Sequence, residues 1–412
     1  MSYTRHAISP TFHLIGNQCR NINMGKIKIT YGGWYQRTTL HLSEIYDFLE
    51  FGTSNLALEK GKLRRLHKKL DLAEVTRESN YLEYVSARTN GGIVIRYYED
   101  GLYILEREAS DVEASRKTLE TYFTDVFNPA IGYLFSLGAP TPKVLANMKT
   151  QHATVVTVIG EKSESEALLE KVDHIYSKIE SGEFSVYKAP LYMFVVVPES
   201  AKDGAGELVE NLIFFREFKD QLEKYLQIHR TLWEEISQIK EKNEIRGNEV
   251  EEIRGKLDGY QTAISLINNR INQMGSYVRT RASVSKHTNT EQHLTDLFQY
   301  KFETLTDTLD YIKEIWKMTG DYLNSSIQNL VEIKGQSAAR GIQSLQLITS
   351  IGVISGIVGY LSKSELPQIT GLGALYFIII IIAVTWLLNT LISRFYKGKR
   401  YRLKFSQRKE DL

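Results

Sequence analysis

The spacing of apolar residues changes along this chain, and each change predicts a different kind of element. Over residues 1–203, short runs rich in Val, Ile, Tyr and Phe predict strands at about Lys26 to Tyr31, Tyr81 to Ala87, Gly92 to Tyr98, Leu102 to Glu106, Thr154 to Ile159 and Ser185 to Val197. Helical spacing recurs between them, at about Leu42 to Phe51, Leu56 to Leu72, Asp111 to Phe127 and Ser165 to Ile179. Strands mixed with helices in this way predict a layered α+β or α/β domain.

From Gly204 onward the pattern is helical. Six prolines fall at or before Pro198 and the next is Pro367, so a long stretch lacks the strongest helix breaker. Leu208 to Ile245 and Val250 to Arg281 predict a helical hairpin within residues 204–288. The polar stretch SVSKHTNT follows, and Thr288 stands three residues before Glu291, the spacing of a capping box. That predicts a stalk helix over residues 289–344. Leu294, Phe298, Phe302, Leu305, Leu309, Ile312, Trp316, Leu323, Ile327 and Leu330 form an apolar stripe along it, either bundle core or a self-association seam.

Two apolar segments come next, Leu345 to Leu361 and Ala374 to Ile392. The second is uncharged over about nineteen residues, enough at ~1.5 Å per residue to span a hydrocarbon core of ~30 Å. The sequence therefore predicts a transmembrane hairpin: a first span over residues 345–361, an external loop over 362–373, a second span over 374–393 and a basic tail over 394–412. Arg394, Lys397, Lys399, Arg400, Arg402, Lys404, Arg408 and Lys409 outweigh the lone Lys363 of the loop, which places both termini in the cytoplasm of a multi-pass inner (plasma) membrane protein. The first residues lack an apolar core of signal-peptide length, so the hairpin is expected to direct insertion. In the first span Thr349, Gly352, Gly356 and Gly359 share one helical face, which suits close helix packing, while Gln343, Ser344, Gln346, Ser350 and Ser355 are spread around it. An oligomer of such helices can both pack and line a water path.

Composition narrows the function classes. The chain of 412 residues is 42% hydrophobic and 24% charged, with room for one or two domains ahead of the hairpin. Its net charge of +2 arises from the tail, so no direct nucleic-acid surface is expected. Cys19 stands alone and offers neither an intramolecular disulfide nor a Cys-based metal site. No phosphate-binding Gly-x-x-x-x-Gly-Lys-Ser/Thr loop, Gly-x-Ser-x-Gly elbow or His-Glu-x-x-His helix is present, and the nine histidines show no pair at helical ligand spacing. Nothing in the sequence points to an enzyme.

This order of elements, a cytoplasmic mixed domain, a helical hairpin, a very long helix entering a less hydrophobic first span, a short loop, a more hydrophobic second span and a basic tail, resembles the CorA-type magnesium transporter superfamily. The resemblance implies a CorA-like funnel and a homopentameric pore in contact with membrane lipid. In that family the first span ends in Gly-Met-Asn, whose Asn ring binds a hydrated divalent cation, and the loop carries Met-Pro-Glu-Leu. Here the matching stretch is VGYLSKSELPQITG. Gly359 fits the glycine and Tyr360 the middle position, but Leu361 occupies the Asn position; Glu365 and Leu366 resemble the loop residues, with Pro367 after them. A ring of leucines cannot hydrogen-bond hydrated Mg²⁺ and would instead form an apolar constriction that gates by dewetting. The expected function is thus an ion channel or transporter gated by its cytoplasmic domain and distinct from a standard magnesium channel.

Two rival readings remain. Divergent CorA-like proteins occur with type III CRISPR defence systems, where they look like membrane effectors opened by a nucleotide messenger. Candidate contacts for such a ligand are Trp34, Tyr35 and Arg37 in the run GGWYQR, and the basic residues Arg64, Arg65 and Lys68, since an aromatic ring and an Arg can stack on a base and pair with phosphate. The simpler reading of the same residues is a turn entering a strand and a solvated helix face. The resemblance also implies a regulatory divalent cation between subunits, for which Glu249, Glu251, Glu252, Asp307 and Asp310 are acidic candidates, although these residues read more simply as a solvated helix face. The rival from another class is a non-conducting, membrane-anchored coiled-coil scaffold, dimeric through the Leu294 to Leu330 stripe.

Overall fold

The computed structural model describes residues 26–36, 40–137, 152, 154–160, 162, 169, 172–240, 242, 244–246, 249–361, 379, 383, 386–387, 390–391, 394 and 400–402. The chain divides into two compact units. One comprises Met1–Gly138, Thr150–Phe218 and Tyr277–Phe302, the other Ala139–Lys149, Lys219–Ser276 and Glu303–Leu412.

The first unit is an α+β domain built on a nine-stranded sheet. Its strands are β1 (Lys26–Trp34), β2 (Leu72–Ser79), β3 (Glu83–Thr89), β4 (Val94–Tyr98), β5 (Leu102–Glu108), β6 (Thr154–Ile159), β7 (Ser177–Ser181), β8 (Phe184–Lys188) and β9 (Tyr192–Val197). They lie in the order β2-β3-β4-β5-β1-β6-β9-β8-β7, antiparallel throughout except for the parallel pair β6 and β9. These two strands, TVVTVI and YMFVVV, are buried almost end to end, as a strand covered on both faces must be.

Side chains alternate across the sheet and sort the strands into two faces. Ile27, Ile29 and Tyr31 of β1, Val85 and Ala87 of β3, Ile95 and Tyr97 of β4, and Tyr103 and Leu105 of β5 belong to one core. Four helices supply its other half: α1 (Leu42–Phe51), α2 (Lys60–Leu70), α3 (Val112–Tyr122) and α4 (Asn128–Leu134). A five-residue π-helical turn, Phe123–Phe127, links the last two. Asp111 caps α3 by accepting the Ala114 N–H at 3.0 Å. Gly52 closes α1 with φ of 65°, where a side chain would be strained.

The opposite face carries Thr30, Trp34, Tyr84, Arg96, Tyr98, Ile104 and Glu106, and it is met by the first turns of α5 (Lys202–Lys240) and the last of α6 (Val250–His287). Trp34 packs on Phe214 and Phe218 of α5 and on Tyr277 of α6, with ring centroids 5.8, 5.4 and 5.9 Å away. A short helix, α7 (Glu291–Phe298), completes the unit.

In the second unit, the remaining parts of α5 and α6 pack with α8 (Phe302–Leu361), a helix of 60 residues. Trp316 is fully buried there, edge-on to His229 at 5.9 Å, and Trp233 stacks on Tyr322 at 4.7 Å. Gln261 donates to Asn324 Oδ1 at 2.9 Å. A short pair of strands, β10 (Glu244–Arg246) and β11 (Arg400–Arg402), joins the α5–α6 connection to the basic tail. Their register sets Glu244 against Arg402, Ile245 against Tyr401 and Arg246 against Arg400.

Several expectations need correction. The stretch Ser185 to Val197 is two strands, because it reverses at Pro190 and the Ala189 N–H binds the Tyr192 carbonyl at 2.9 Å. The helix expected to end at Ile179 gives way to a strand there, since Ser177–Ser181 forms the edge strand β7. The stalk helix does not start at Asn289 and run on: Gln299, at φ of 58°, ends α7, and α8 starts at Phe302. Nor is the capping box made, since the Thr288 hydroxyl donates to the Val284 carbonyl at 3.1 Å and Thr290, the residue at the cap, makes no side-chain cap.

The apolar stripe is core within one chain: Leu294, Phe298, Phe302, Leu305, Leu309, Ile312, Trp316, Leu323 and Leu330 are all buried. Ile327, the remaining member of the stripe, is half-buried. The expected first span, Leu345 to Leu361, forms the end of α8. No helix among the described residues is long and apolar enough to cross a membrane. The expected second span lies mostly outside the described residues; those of its side chains that are described include Ile379, Trp386, Leu387 and Leu391, all exposed.

Candidate functional site

A cavity of about 220 Å³ opens on the second face of the sheet, entirely within the first unit. Sheet alternation supplies its floor. Tyr84 and Tyr98 are cross-strand partners on β3 and β4, with ring centroids 5.0 Å apart, and Arg96 stands two residues before Tyr98 on the same face. Helical spacing supplies one wall: Asp203, Gly206, Glu207, Glu210 and Asn211 lie at i, i+3, i+4, i+7 and i+8 along α5. Arg281 and Val284 of α6, Thr288 after it, and Asn80, Tyr81 and Leu82 from the β2–β3 turn close the rest.

Its two arginines are already engaged. Arg281 is 2% exposed and makes a two-pronged ion pair with Asp100, itself 3% exposed, at 2.5 and 3.0 Å. Burial works against the Arg281 charge, but Asp100 outweighs it and the pKa is raised. The guanidinium also lies over the Tyr98 ring, 4.7 Å from its centroid. Arg96 sits between Glu106 at 2.9 Å and Glu210 at 3.1 Å. Burial opposes its charge too, and Glu210 and Glu106 together raise its pKa.

The carboxylates are not balanced in the same way. Glu210 accepts the Tyr98 hydroxyl at 2.6 Å in addition to pairing with Arg96. Burial, and then the neighbouring Glu210 charge, raise the pKa of Glu207. Among the described residues Glu207 has no ion-pair partner. Tyr84 is pushed up to about 12 by burial and by its hydrogen bond to Glu78 at 2.5 Å, so it is a neutral phenol near neutral pH. Asn211, 1% exposed, donates to Thr290 Oγ1 at 2.9 Å, while its Oδ1 has no hydrogen-bond partner.

The residues singled out from sequence lie elsewhere. Trp34 is buried on the α5 face, its indole N–H donating to the Asp100 carbonyl at 2.8 Å. Tyr35 packs into the other face against Tyr103, 4.7 Å away, and donates to Asn128 Oδ1 at 2.7 Å. Neither ring is free to stack on a base. Arg64, Arg65 and Lys68 are exposed on α2, with Arg65 3.7 Å from Glu59. Arg37, Glu365 and Leu366 are outside the described residues. Thr349, Gly352 and Gly356 are exposed on α8, and among the described residues nothing lies within 4 Å of where a side chain on either glycine would begin. The backbone of Gly359, Tyr360 and Leu361 continues that helix. Among the described residues of one chain, no group of three or more His, Cys, Asp or Glu could hold a metal ion.

The cavity is not legible in the sequence, because its residues come from two strands, two helices and two connections. One signal was available: Glu207 and Glu210 are like charges one helical turn apart, a placement that is unfavourable unless something between or beside them compensates.

No family model matches the sequence, and no curated protein matches it. Among solved structures, the complete CorA magnesium transporter from Methanocaldococcus jannaschii is similar at 12% identity and a TM-score of 0.22, over 60% of this chain and 92% of that one. A superposition at that TM-score carries no argument about fold or function.

Proposed function

We propose that the chain is a homo-oligomeric, pentameric membrane ion channel with CorA-like order of elements, in which the α+β domain senses a ligand and the long helix α8 opens a constriction at Leu361. The observation that carries this reading is the unbroken helix from Phe302 to Leu361, which leads from a packed helical bundle into the Gly- and Ser-rich apolar segment. Pairing of β10 with β11 supports the expected topology. The tail at Arg400–Arg402 pairs with the α5–α6 connection, which suits an even number of crossings between residues 345 and 393. The described side chains Ile379, Trp386, Leu387 and Leu391 are exposed, which suits lipid or a neighbouring copy. Within α8, the open space at Gly352 and Gly356 suits close approach of another helix.

Exchanging residues 345–393 for an unrelated two-span anchor tests the reading. A pore loses all ion flux in reconstituted vesicles while the domain still folds. An anchor that works equally well after the exchange would establish the scaffold. The buried stripe of α7 and α8 already counts against a scaffold dimerised through it. A nucleotide messenger, the trigger in the defence-effector reading, finds little support in the cavity, where carboxylates outnumber arginines and both arginines are paired.

A further inference from the structure

We propose that the cavity between β3, β4, α5 and α6 binds a small organic cation bearing N–H donors, an alkyl amine or guanidine compound, through Glu207, Glu210 and Asn211 Oδ1. The proposal goes beyond channel function, and the binding stands whether or not the chain conducts.

Charge comes first. Asp203, Glu207 and Glu210 line the cavity against Arg96 and Arg281, and each arginine already faces a carboxylate at 3.1 Å or less. The uncompensated charge is therefore negative, and it is centred on Glu207, a half-buried carboxylate beside a second one. A cation there would offset both the burial of the Glu207 carboxylate and its repulsion by Glu210, which together raise its pKa, whereas a phosphate would add to the repulsion.

Hydrogen bonding narrows the cation. Asn211 lines the cavity while its buried Oδ1 lacks a donor, and an unsatisfied buried acceptor is costly. Ammonium and guanidinium groups supply such donors to an amide oxygen and to carboxylates at once. Aromatic rings complete the recognition, for Tyr81 and Tyr84 line the opening and Tyr98 already carries one guanidinium over its face. A bare divalent cation fits less well, since no group of three ligands of the usual types is assembled among the described residues.

Calorimetric titration of the full chain in detergent with agmatine tests the proposal, with choline, MgCl₂ and AMP as comparison probes. Agmatine should saturate at one molecule per chain. Glu207→Gln, which keeps the shape of the side chain, should weaken agmatine by about tenfold to a hundredfold, the effect of losing a charge-assisted hydrogen bond. Choline, a cation without N–H donors, should bind more weakly than agmatine. No saturable agmatine binding at millimolar concentration would overturn the proposal. So would equal affinity in a Glu207→Gln chain with an unchanged melting temperature, or tighter binding of Mg²⁺ or AMP than of agmatine. The titration reads no ion flux, so its failure and the failure of the pore reading are separate events.

Discussion

Replacing Leu361 with Asn raises the basal ion leak of the reconstituted chain on the order of tenfold or more. In the proposed pore Leu361 is the last residue of α8 and stands where the CorA-type pattern has its Asn. A ring of leucine side chains offers water no hydrogen bonds, so the path dewets and the closed state holds. Asn restores donors and acceptors at the same position with the same number of side-chain heavy atoms. Each ~1.4 kcal/mol removed from the barrier multiplies flux about tenfold. Leu361→Ile, which keeps the ring apolar, should leave the leak unchanged. Identical flux in the Asn and Ile variants would remove Leu361 from the gate.

Arg281→Ala costs the first unit ~3–5 kcal/mol of stability, because it strands the Asp100 carboxylate in the interior. Asp100 is 3% exposed, and Arg281 reaches both its oxygens. The same residue organises the β4–β5 turn: its side chain accepts the Leu102 N–H at 3.1 Å, and its carbonyl accepts the Trp34 indole at 2.8 Å. Removing both charges together, as Asp100→Asn with Arg281→Met, should recover much of the loss, since the greater part of it is the burial of an unpaired charge. Denaturant unfolding monitored by Trp fluorescence measures both effects. A loss below ~1 kcal/mol in Arg281→Ala would mean that water reaches Asp100.

Much of the fold was legible because each central strand displays its environment. Thr154–Ile159 reads as a mostly apolar run and proves buried up to Val158, while Val94–Tyr98 alternates and proves two-faced. Edge strands were harder. Ser177–Ser181 is mostly polar, and Leu72–Ser79 keeps much of its length in solvent, so neither carries the apolar signal of a strand. The break between α7 and α8 was hidden for a different reason. Apolar residues continue at helical spacing across it, and the turn is made by Gln299 in a left-handed conformation that its residue type does not announce.

The candidate site was less legible than the fold. Arg281 is 181 positions from Asp100 in sequence, and Tyr98 is 112 from Glu210, so these pairings depend on how α5 and α6 meet the sheet. GGWYQR attracted notice as a ligand loop because Trp, Tyr and Arg stand together. In the sheet, alternation sends Trp34 and Tyr35 to opposite faces, and Gly33 is needed where Tyr103 and His152 crowd the strand.

The mass of the detergent-solubilised particle, measured by light scattering with the detergent contribution subtracted, tests the central claim most directly. A ring of first spans around a pore predicts five times 47.2 kDa, about 236 kDa of protein. A mass near two copies leaves no ring for a central path and contradicts the account.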